Sequence, residues 1–318
     1  MPRLAIVISA NGNTEALEGT LVSVLENRPS DCEIVIALNQ PYADPYDLKG
    51  EVRFVTTAAH AASLAPTIAA LETVKSPFVH LLSSGCKVFD GWADRALQRF
   101  GDRQVAAVVP LVVRTDDEER IFAAGVGYRA NGRRFRVAQD ARKLEGDTIS
   151  QIVGPGSFAA FYRRSAIDQV GGLTPALGRT QIDIDLALGF GASGMTIVLE
   201  PQSRVAAAAD VDVELPGYRR ALAEERLFWR HLDAKRRWQT VAAHAALVTW
   251  EAIRSAPRPC AVTQLVGRFA GCLLPSRRPT APAAPPTGPA PRGQGPWRID
   301  RPHLGTPRGE SSHATSTR

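Results

Sequence analysis

The chain of 318 residues contains only four cysteines, and none of them stands in a C-x-x-C pair. This spacing argues against a zinc site or a disulfide framework. No apolar run reaches about 18 residues, the length that a membrane-spanning helix requires. Walker A, G-x-S-x-G and H-E-x-x-H patterns are also missing, which removes several common enzyme classes. Strand-like residues begin at Leu4 and leave no room for a signal peptide, so we expect a cytoplasmic protein with reduced thiols.

An excess of positive charge is missing outside the last part of the chain. Residues 275–318 contain ten prolines and seven arginines but only two acids, Asp300 and Glu310, and this composition predicts disorder. Without that tail, residues 1–274 hold 31 basic and 30 acidic side chains. The folded part therefore shows no basic excess, and we expect no nucleic-acid partner.

Short aliphatic runs alternate with helical patterns along the first two thirds of the chain. Strands are predicted at 4–8, 33–38, 52–55, 78–82, 105–113, 157–163 and 195–199. Helices are predicted at 17–27, 59–74, 92–100, 165–171 and 181–191. The order β-α-β with strands that are apolar throughout indicates a three-layer α/β/α, Rossmann-like domain with buried parallel strands.

Polar residues follow several of these strands, and ligands are expected beyond the carboxyl ends of such strands. The candidate edge consists of residues 9–13, Asn39 with Gln40, and Ser83-Ser84-Gly85-Cys86. His80 lies within a strand and is interpreted as a core residue. Cys86 has no neighbouring base and is interpreted as inert.

Residues 114–154 form an irregular stretch with a predicted hairpin at Asn131-Gly132. Residues 125–130 match a dinucleotide-binding fingerprint, but they do not open an amphipathic helix, so an ordinary hairpin is preferred. Residues 216–254 read as basic helices that either pack on the domain or lie on an anionic membrane. The predicted division is an α/β domain at 1–215, a helical region at 216–274 and a disordered tail at 275–318.

In this order the elements resemble the family-2 glycosyltransferases, over roughly residues 3–205. Residues 17–27 match the helix pattern L-x-x-x-L-x-S-[LIV]-L-x-[QN], with Glu26 at the free position. Residues 161–173 match F-R-R-x-x-[LIV] followed by V-G-G-F, and Asp183-Ile184-Asp185-Leu186 follows where the family has E-D-x-D-L. The resemblance implies the A-type nucleotide-diphospho-sugar transferase fold and sugar transfer from a nucleotide sugar.

The resemblance also implies residue roles. Inverting transfer needs a carboxylate base, and Asp183 matches that position. The acceptor side would include Gly171, Gly172, Arg179 and Asp185, with Asp185 as a supporting or helix-capping carboxylate. Without the family context, Asp183 and Asp185 read as carboxylates that open a helix.

The donor side departs from the family pattern. Ser83-Ser84-Gly85 replaces the Asp-x-Asp that holds Mn²⁺ or Mg²⁺, and hydroxyl groups are poor substitutes for carboxylates, so no metal ligand is assigned. Ile182 replaces a glutamate, and no histidine follows the last strand. Lys87, Arg179, Arg204 and backbone amides near Gly85 are candidates for neutralising the diphosphate. The expected donor-binding residues are Ser9, Asn11, Asn39, Ser83, Ser84, Gly85, Lys87 and Arg204.

Three functions stay open at this point. The first is a transferase with a degenerate metal site that acts on a glycan or a lipid-linked acceptor, peripheral to the membrane through its basic helices. The second is a non-catalytic binding or assembly subunit with the same fold. The third is a nucleotidyltransferase-like protein, which matches fewer elements.

Overall fold

The structure is a computed structural model that describes residues 1–10, 12–58, 63–212, 217–232 and 237–273. The strands are β1 (Leu4–Ser9), β2 (Cys32–Leu38), β3 (Arg53–Thr56), β4 (Phe78–Ser83), β5 (Cys86–Val88), β6 (Val105–Arg114), β7 (Ile121–Ala123), β8 (Val126–Tyr128), β9 (Arg134–Arg136), β10 (Ala159–Arg163) and β11 (Thr196–Ala207). The helices are α1 (Thr14–Glu26), α2 (Ala65–Thr73), α3 (Trp92–Arg99), α4 (Gly146–Ile149), α5 (Arg164–Gln169), α6 (Gly178–Ala192), α7 (Tyr218–Arg230), α8 (Arg237–Ser255) and α9 (Pro259–Leu273). Asn11, the predicted boundary at 215 and the tail 275–318 lie outside these residues.

A nine-stranded mixed sheet forms the centre of the molecule. Its order is β3-β2-β1-β4-β10-β6-β11-β5, and β7 pairs with β6 outside this path. Strands β1, β2, β3 and β4 run parallel, as β6 and β11 do. Strand β10 is antiparallel to both of its neighbours. The first four strands therefore end at one edge, where β1 ends at Ser9 and β4 at Ser83.

Helices cover both faces of the sheet and produce the predicted three layers. One core packs α1 and α3 on the sheet through Leu17, Leu21, Trp92 and Leu97. The other core packs α2, α5 and α6 on the opposite face through Leu71, Ile167, Leu186 and Phe190. All six residues of β1 are buried, which agrees with its uninterrupted aliphatic sequence. Burial on both faces explains why these strands show no alternation of polar and apolar residues.

The hairpin predicted at Asn131-Gly132 is confirmed. Strands β8 and β9 pair antiparallel, with Tyr128 opposite Arg134. Gly132 closes the turn with a φ of 90° and donates to the Arg129 carbonyl oxygen at 2.9 Å. This conformation favours glycine, which has no Cβ to clash.

Several predicted boundaries are wrong. Strand β11 was predicted at 195–199 but continues to Ala207, because a bulge between Glu200 and Arg204 lets it resume its pairing with β6. Helix α6 begins at Gly178, so Asp183 and Asp185 lie in its interior and do not open it. The short strands β5 and β7 were not predicted.

Three helices follow the sheet in the C-terminal part of the chain. Helices α7 and α9 pack closely, and α8 connects them. Arg230, one of the arginines of this basic region, is buried, with its side chain only 4% exposed. None of the helices in the described residues is both long and apolar enough to cross a membrane.

His80 is a core residue, as predicted from its position within a strand. It is fully buried on β4, with its ring centroid 3.9 Å from that of Phe161 and 4.7 Å from that of Trp92. Burial lowers the pKa of His80 to about 3, because the charged imidazolium would lose its hydration. The imidazole is therefore neutral in the folded protein.

This burial predicts a pH dependence of stability. The folded pKa lies below the ordinary 6.5, so the stability that the neutral ring provides is complete above about pH 6.5 and falls as the pH drops towards 3. Between about pH 7 and pH 5 the wild type should lose about 2 kcal/mol of unfolding free energy that His80→Phe retains. Urea unfolding of both proteins at the two pH values measures the difference. Equal losses in the two proteins would contradict a neutral buried His80.

Candidate functional site

Three charged side chains meet at the carboxyl edge of the sheet. The Arg134 guanidinium on β9 donates to Asp183 on α6, with Nη2 2.7 Å and Nε 3.1 Å from Oδ2. On its other side it donates to Asp212, with Nη1 2.9 Å from Oδ2 and Nη2 3.1 Å from Oδ1. Asp212 follows the end of β11. We call these three residues the charge cluster; it joins a hairpin, a helix and the segment after the last core strand.

The charge cluster is buried. The Asp183 side chain is 0% exposed and that of Asp212 is 5% exposed. Asp183 Oδ2 also accepts from the Ser157 amide at 3.2 Å, and Oδ1 accepts from the Ile184 amide at 2.7 Å. Burial raises the pKa of Asp183, and Arg134 and the Ser157 amide oppose that rise. Both oxygens of the predicted base are therefore occupied in this conformation.

The pKa of Arg134 is also shifted from its ordinary value. Burial acts to lower its pKa, but the negative charges of Asp183 and Asp212 hold the pKa above its ordinary value. Two carboxylates around one guanidinium leave the cluster with one net negative charge. The net positive charge for a diphosphate at this edge must therefore come from side chains outside the charge cluster.

The backbone amides of the turn after β4 donate hydrogen bonds to acceptors on neighbouring segments. The Ser83 amide donates to the Phe158 carbonyl at 2.9 Å, and the Ser84 amide donates to the Ser9 carbonyl at 3.0 Å. The Gly85 amide donates to Thr20 Oγ1 at 2.9 Å. Each of these three amides already has a protein acceptor in this conformation, and the predicted contact of amides near Gly85 with a diphosphate stays a prediction.

Gly85 lets the segment after β11 approach the turn. It has a φ of 92°, and a Cβ at this position would lie 2.8 Å from Cγ2 of Val211. The Ala208 amide donates to the Gly85 carbonyl at 3.0 Å. Burial raises the pKa of the adjacent Cys86 to about 12, which agrees with an inert thiol.

Ser9 and Asn39 end neighbouring strands. Ser9 Oγ hydrogen-bonds Thr67 Oγ1 at 2.9 Å, so its hydroxyl is tied to α2. Asn39 Oδ1 is buried and has no hydrogen-bond donor among the described residues. A buried oxygen without a donor is costly, and such an atom at a strand end fits a ligand that offers an N–H group.

The side chains of two arginines at this edge have no polar partner in the described part of the chain. Arg179, in the first turn of α6, makes no hydrogen bond or ion pair there, and its charge acts on the Cys86 thiol. Arg136 on β9 makes none either; its guanidinium lies 4.2 Å from the centre of the Phe122 ring. Burial lowers the pKa of Arg136, and the charges of Asp212 and Arg134 act on it. Both cations are available to an anion.

Lys87 lies on β5, and Arg204 lies on β11. Lys87 is exposed on β5 and passes over Gly19 of α1. Arg204 lies within β11, stacked 4.9 Å from the Phe89 ring centre, and borders a cavity of about 680 Å³ that Leu111, Arg142 and Leu144 also line. Arg204 thus lies against Phe89 and this cavity, within a strand that is longer than predicted, and contact of Lys87 or Arg204 with a donor stays a prediction.

Asp185 anchors a helix. Its Oδ1 lies 3.0 Å from Nε of Arg230 and 2.7 Å from Nε2 of His231, both at the end of α7. Its Oδ2 accepts from Thr174 Oγ1 at 3.2 Å. These contacts make Asp185 a link between α6 and α7, so its carboxylate does not cap α6.

Gly171 and Gly172 end α5. Their φ values are 91° and 78°, and the Gly172 amide donates to the Ile167 carbonyl at 2.9 Å. This is a glycine-terminated helix end. Contact with an acceptor stays a prediction for both residues.

The residues at this edge do not fit a divalent cation. The described residues contain no group of three or more His, Cys, Asp or Glu side chains that could hold one. Hard cations prefer carboxylate oxygens, but the turn after β4 offers hydroxyl groups, and Arg134 lies between the buried carboxylates Asp183 and Asp212.

Arg134, Arg136 and Asp212 were not predicted from the sequence. Arg134 lies 49 residues before Asp183 and 78 residues before Asp212 in the chain. The available signal was the pair of arginines on alternate positions of the β9 strand, which places both side chains on one face of the hairpin.

Comparisons with known proteins address the fold. No protein-family model matches this chain, and no curated protein matches it. A solved structure of GalNAc-T7 with UDP, GalNAc and Mn²⁺ aligns with a TM-score of 0.57 at 15% identity. The alignment covers 74% of this chain and 50% of GalNAc-T7, so the chain spans about half of that protein's length.

A second solved structure is the mannosyltransferase PcManGT from Pyrobaculum calidifontis in complex with GDP-Man and Mn²⁺. It aligns with a TM-score of 0.46 at 16% identity over 86% of each chain. The mixed sheet with helices on both faces and the GalNAc-T7 alignment agree on one architecture. The chain has the A-type fold of nucleotide-sugar glycosyltransferases.

Proposed function

We propose that this protein transfers a sugar from a nucleotide-sugar donor to a glycan or lipid-linked acceptor, with inversion at the anomeric carbon. The observation that carries the proposal is a pair of arginines, Arg136 and Arg179, whose side chains have no polar partner within the described ranges and which lie at the carboxyl edge beside the buried Asp183. An edge with free cations and a carboxylate matches the two requirements of the reaction, a departing diphosphate and a base. GalNAc-T7, which shares the fold, was solved with UDP.

The donor would be held by its two ends. Asn39 Oδ1, which is buried and has no hydrogen-bond donor among the residues that the structure describes, accepts from an N–H of a uracil-like base. Arg179 and Arg136 neutralise the diphosphate as it leaves, in place of a metal ion. Guanidinium groups bind phosphate oxygens through paired hydrogen bonds, which suits them to this role.

Asp183 would act as the base once it is released from Arg134. A diphosphate close to the charge cluster competes with Asp183 for the Arg134 guanidinium. When Arg134 turns to the phosphate, Asp183 loses its strongest partner and accepts the proton of the acceptor hydroxyl. Donor binding thus precedes activation of the base.

Donor binding tests the roles of Arg179 and Asn39. UDP-, GDP- and dTDP-sugars are screened by thermal shift with and without Mn²⁺, and the dissociation constant is measured for the sugar that stabilises the protein. We expect binding without Mn²⁺, weakened about tenfold or more by Arg179→Gln because a charge-assisted hydrogen bond is lost. Asn39→Leu should weaken binding and reduce the preference among bases.

Arg204→Gln is the matched control, since Arg204 is also an arginine but lies against Phe89. It should bind the donor as the wild type does. If no nucleotide sugar shifts the melting temperature of the folded protein, the transferase proposal is wrong.

A matched pair of substitutions tests the base. Asp183→Asn and Asp212→Asn each remove one carboxylate from Arg134, so both should reduce stability. Only Asp183→Asn should also lower kcat, by about 10²- to 10⁴-fold, because it removes the proton acceptor. Sugar transfer is measured with each folded variant under saturating donor. Equal losses of kcat in the two variants would assign Asp183 to structure alone.

A second function is favoured by one observation. The Asp183 side chain is 0% exposed and both of its oxygens are occupied, as expected of a non-catalytic subunit that keeps the fold. Such a protein would bind a nucleotide sugar or glycan without turnover. Donor binding by a protein that transfers no sugar to any acceptor tested would favour this function.

We assign the protein to the cytoplasm, with a peripheral membrane contact through its C-terminal helices. A lipid-linked acceptor would meet the enzyme there.

A further inference from the structure

The charged side chain of helix α9 packs against the rest of the protein. Arg268 is the only charged residue among its fifteen. Its guanidinium is 11% exposed and lies 2.5 Å from Glu224 and 3.5 Å from Glu225 on α7, and 3.1 Å from Glu251 on α8. The polar contacts of the helix are therefore made with the protein.

Small residues bring α9 against α7. A Cβ on Gly267 would lie 2.4 Å from the Tyr218 carbonyl oxygen, and a Cβ on Gly271 would lie 2.6 Å from Cβ of Glu225. Ala261 is buried on the inward side as well. The side of α9 that packs on the protein thus consists of small residues and one paired arginine.

The large apolar residues of α9 face outwards. Val262 is 65% exposed, Phe269 is 67% exposed and Leu273 is 65% exposed. Together with Leu265 and Val266, also exposed, they recur at helical spacing, and we call these five residues the apolar stripe. A surface helix of a water-soluble domain normally shows the reverse arrangement. An exposed apolar surface of this kind marks an interaction site.

The charges that flank the apolar stripe are all positive. Arg254 and Arg258 precede it and are exposed, and Arg277 and Arg278 follow it in the sequence. Between Glu251 and Asp300 the chain contains no acidic residue. Exposed Trp250 lies on the preceding helix, and tryptophan favours the membrane–water interface. An apolar helix with basic flanks is complementary to anionic lipid.

We propose that α9 binds in the headgroup region of an anionic lipid bilayer, with its apolar stripe in the lipid and Arg254 and Arg258 on the phosphates. Other occupants fit less well. Residues 274–318 contain only four large apolar side chains, Leu274, Trp297, Ile299 and Leu304, which is too few to match the stripe. A second copy would bring two sets of arginines together without acidic partners.

Vesicle co-sedimentation of the full-length protein tests the proposal. The probes are vesicles of phosphatidylcholine alone and of an equimolar mixture of phosphatidylcholine and phosphatidylglycerol. The wild type should bind the anionic vesicles, less tightly at high salt. Phe269→Ser should weaken that binding about tenfold, because it removes one large apolar group from the lipid. Arg254→Gln with Arg258→Gln should reduce the preference for anionic vesicles.

The control is Val22→Ser, which replaces an exposed apolar residue on α1, away from the stripe. It should bind vesicles as the wild type does, and circular dichroism confirms that each variant is folded. Equal binding by Phe269→Ser and the wild type overturns the proposal. So does a wild-type dimer in sedimentation that Phe269→Ser abolishes while neither protein binds vesicles, since a second copy would then cover the stripe. Vesicle binding does not depend on donor or turnover, so failure here leaves the transferase proposal standing.

Discussion

The bridge from Arg134 to Asp183 and Asp212 is the interaction on which the candidate site depends. Its members come from a hairpin, a helix and the segment after β11, three parts of the chain that share little other polar contact. A buried guanidinium between two carboxylates is stable only if all three side chains are present, because the removal of one leaves uncompensated buried charge. The bridge therefore fixes the position of the hairpin over the carboxyl edge of the sheet.

The C-terminal helices reinforce this arrangement from outside. Asp185 lies two residues after Asp183 and forms polar contacts with Arg230 and His231 at the end of α7. His244 on α8 contacts the Asn131 carbonyl oxygen at the hairpin turn at 2.7 Å, and its other nitrogen lies 2.9 Å from Glu225 on α7. Burial acts to raise the pKa of Glu225, but the hydrogen bonds from His244 and Cys272 hold it below its ordinary value. The C-terminal helices, the last of which carries the apolar stripe, are thus connected through α7 and α8 to α6 and to the hairpin turn.

The layers of the fold were predictable because they depend on local sequence. Each core strand is an aliphatic run, and each covering helix repeats its apolar residues at helical spacing, so neither needs a distant partner to be recognised. Strand β11 was harder to predict, because Pro201, Gln202 and Ser203 interrupt its pattern at the bulge. The strands β5 and β7 have three residues each, too few for a period to show.

Two parts of the candidate site were predictable because they follow a strand directly, whereas Asp183 was predicted through the family resemblance. Asn39 and the turn after β4 were located for that reason. The partners of Asp183 were not, because an ion pair between residues 49 positions apart leaves no mark on either local sequence. Arg204 was predicted to follow the end of a strand but lies within β11, so its contact with a donor stays a prediction.

The cations of this site differ from a metal ion in one respect that shapes the proposed reaction. A divalent ion arrives with the donor and brings two positive charges, whereas arginines are permanent parts of the chain. Arg134 is already neutralised by its two carboxylates and, in the proposed reaction, only exchanges one of them for a phosphate oxygen, so the net positive charge for a diphosphate must come from Arg136 and Arg179. Those two side chains lie on β9 and α6, the same elements that hold Arg134 and Asp183. A shift of the hairpin relative to α6 would therefore alter the phosphate contacts and the exposure of the base together.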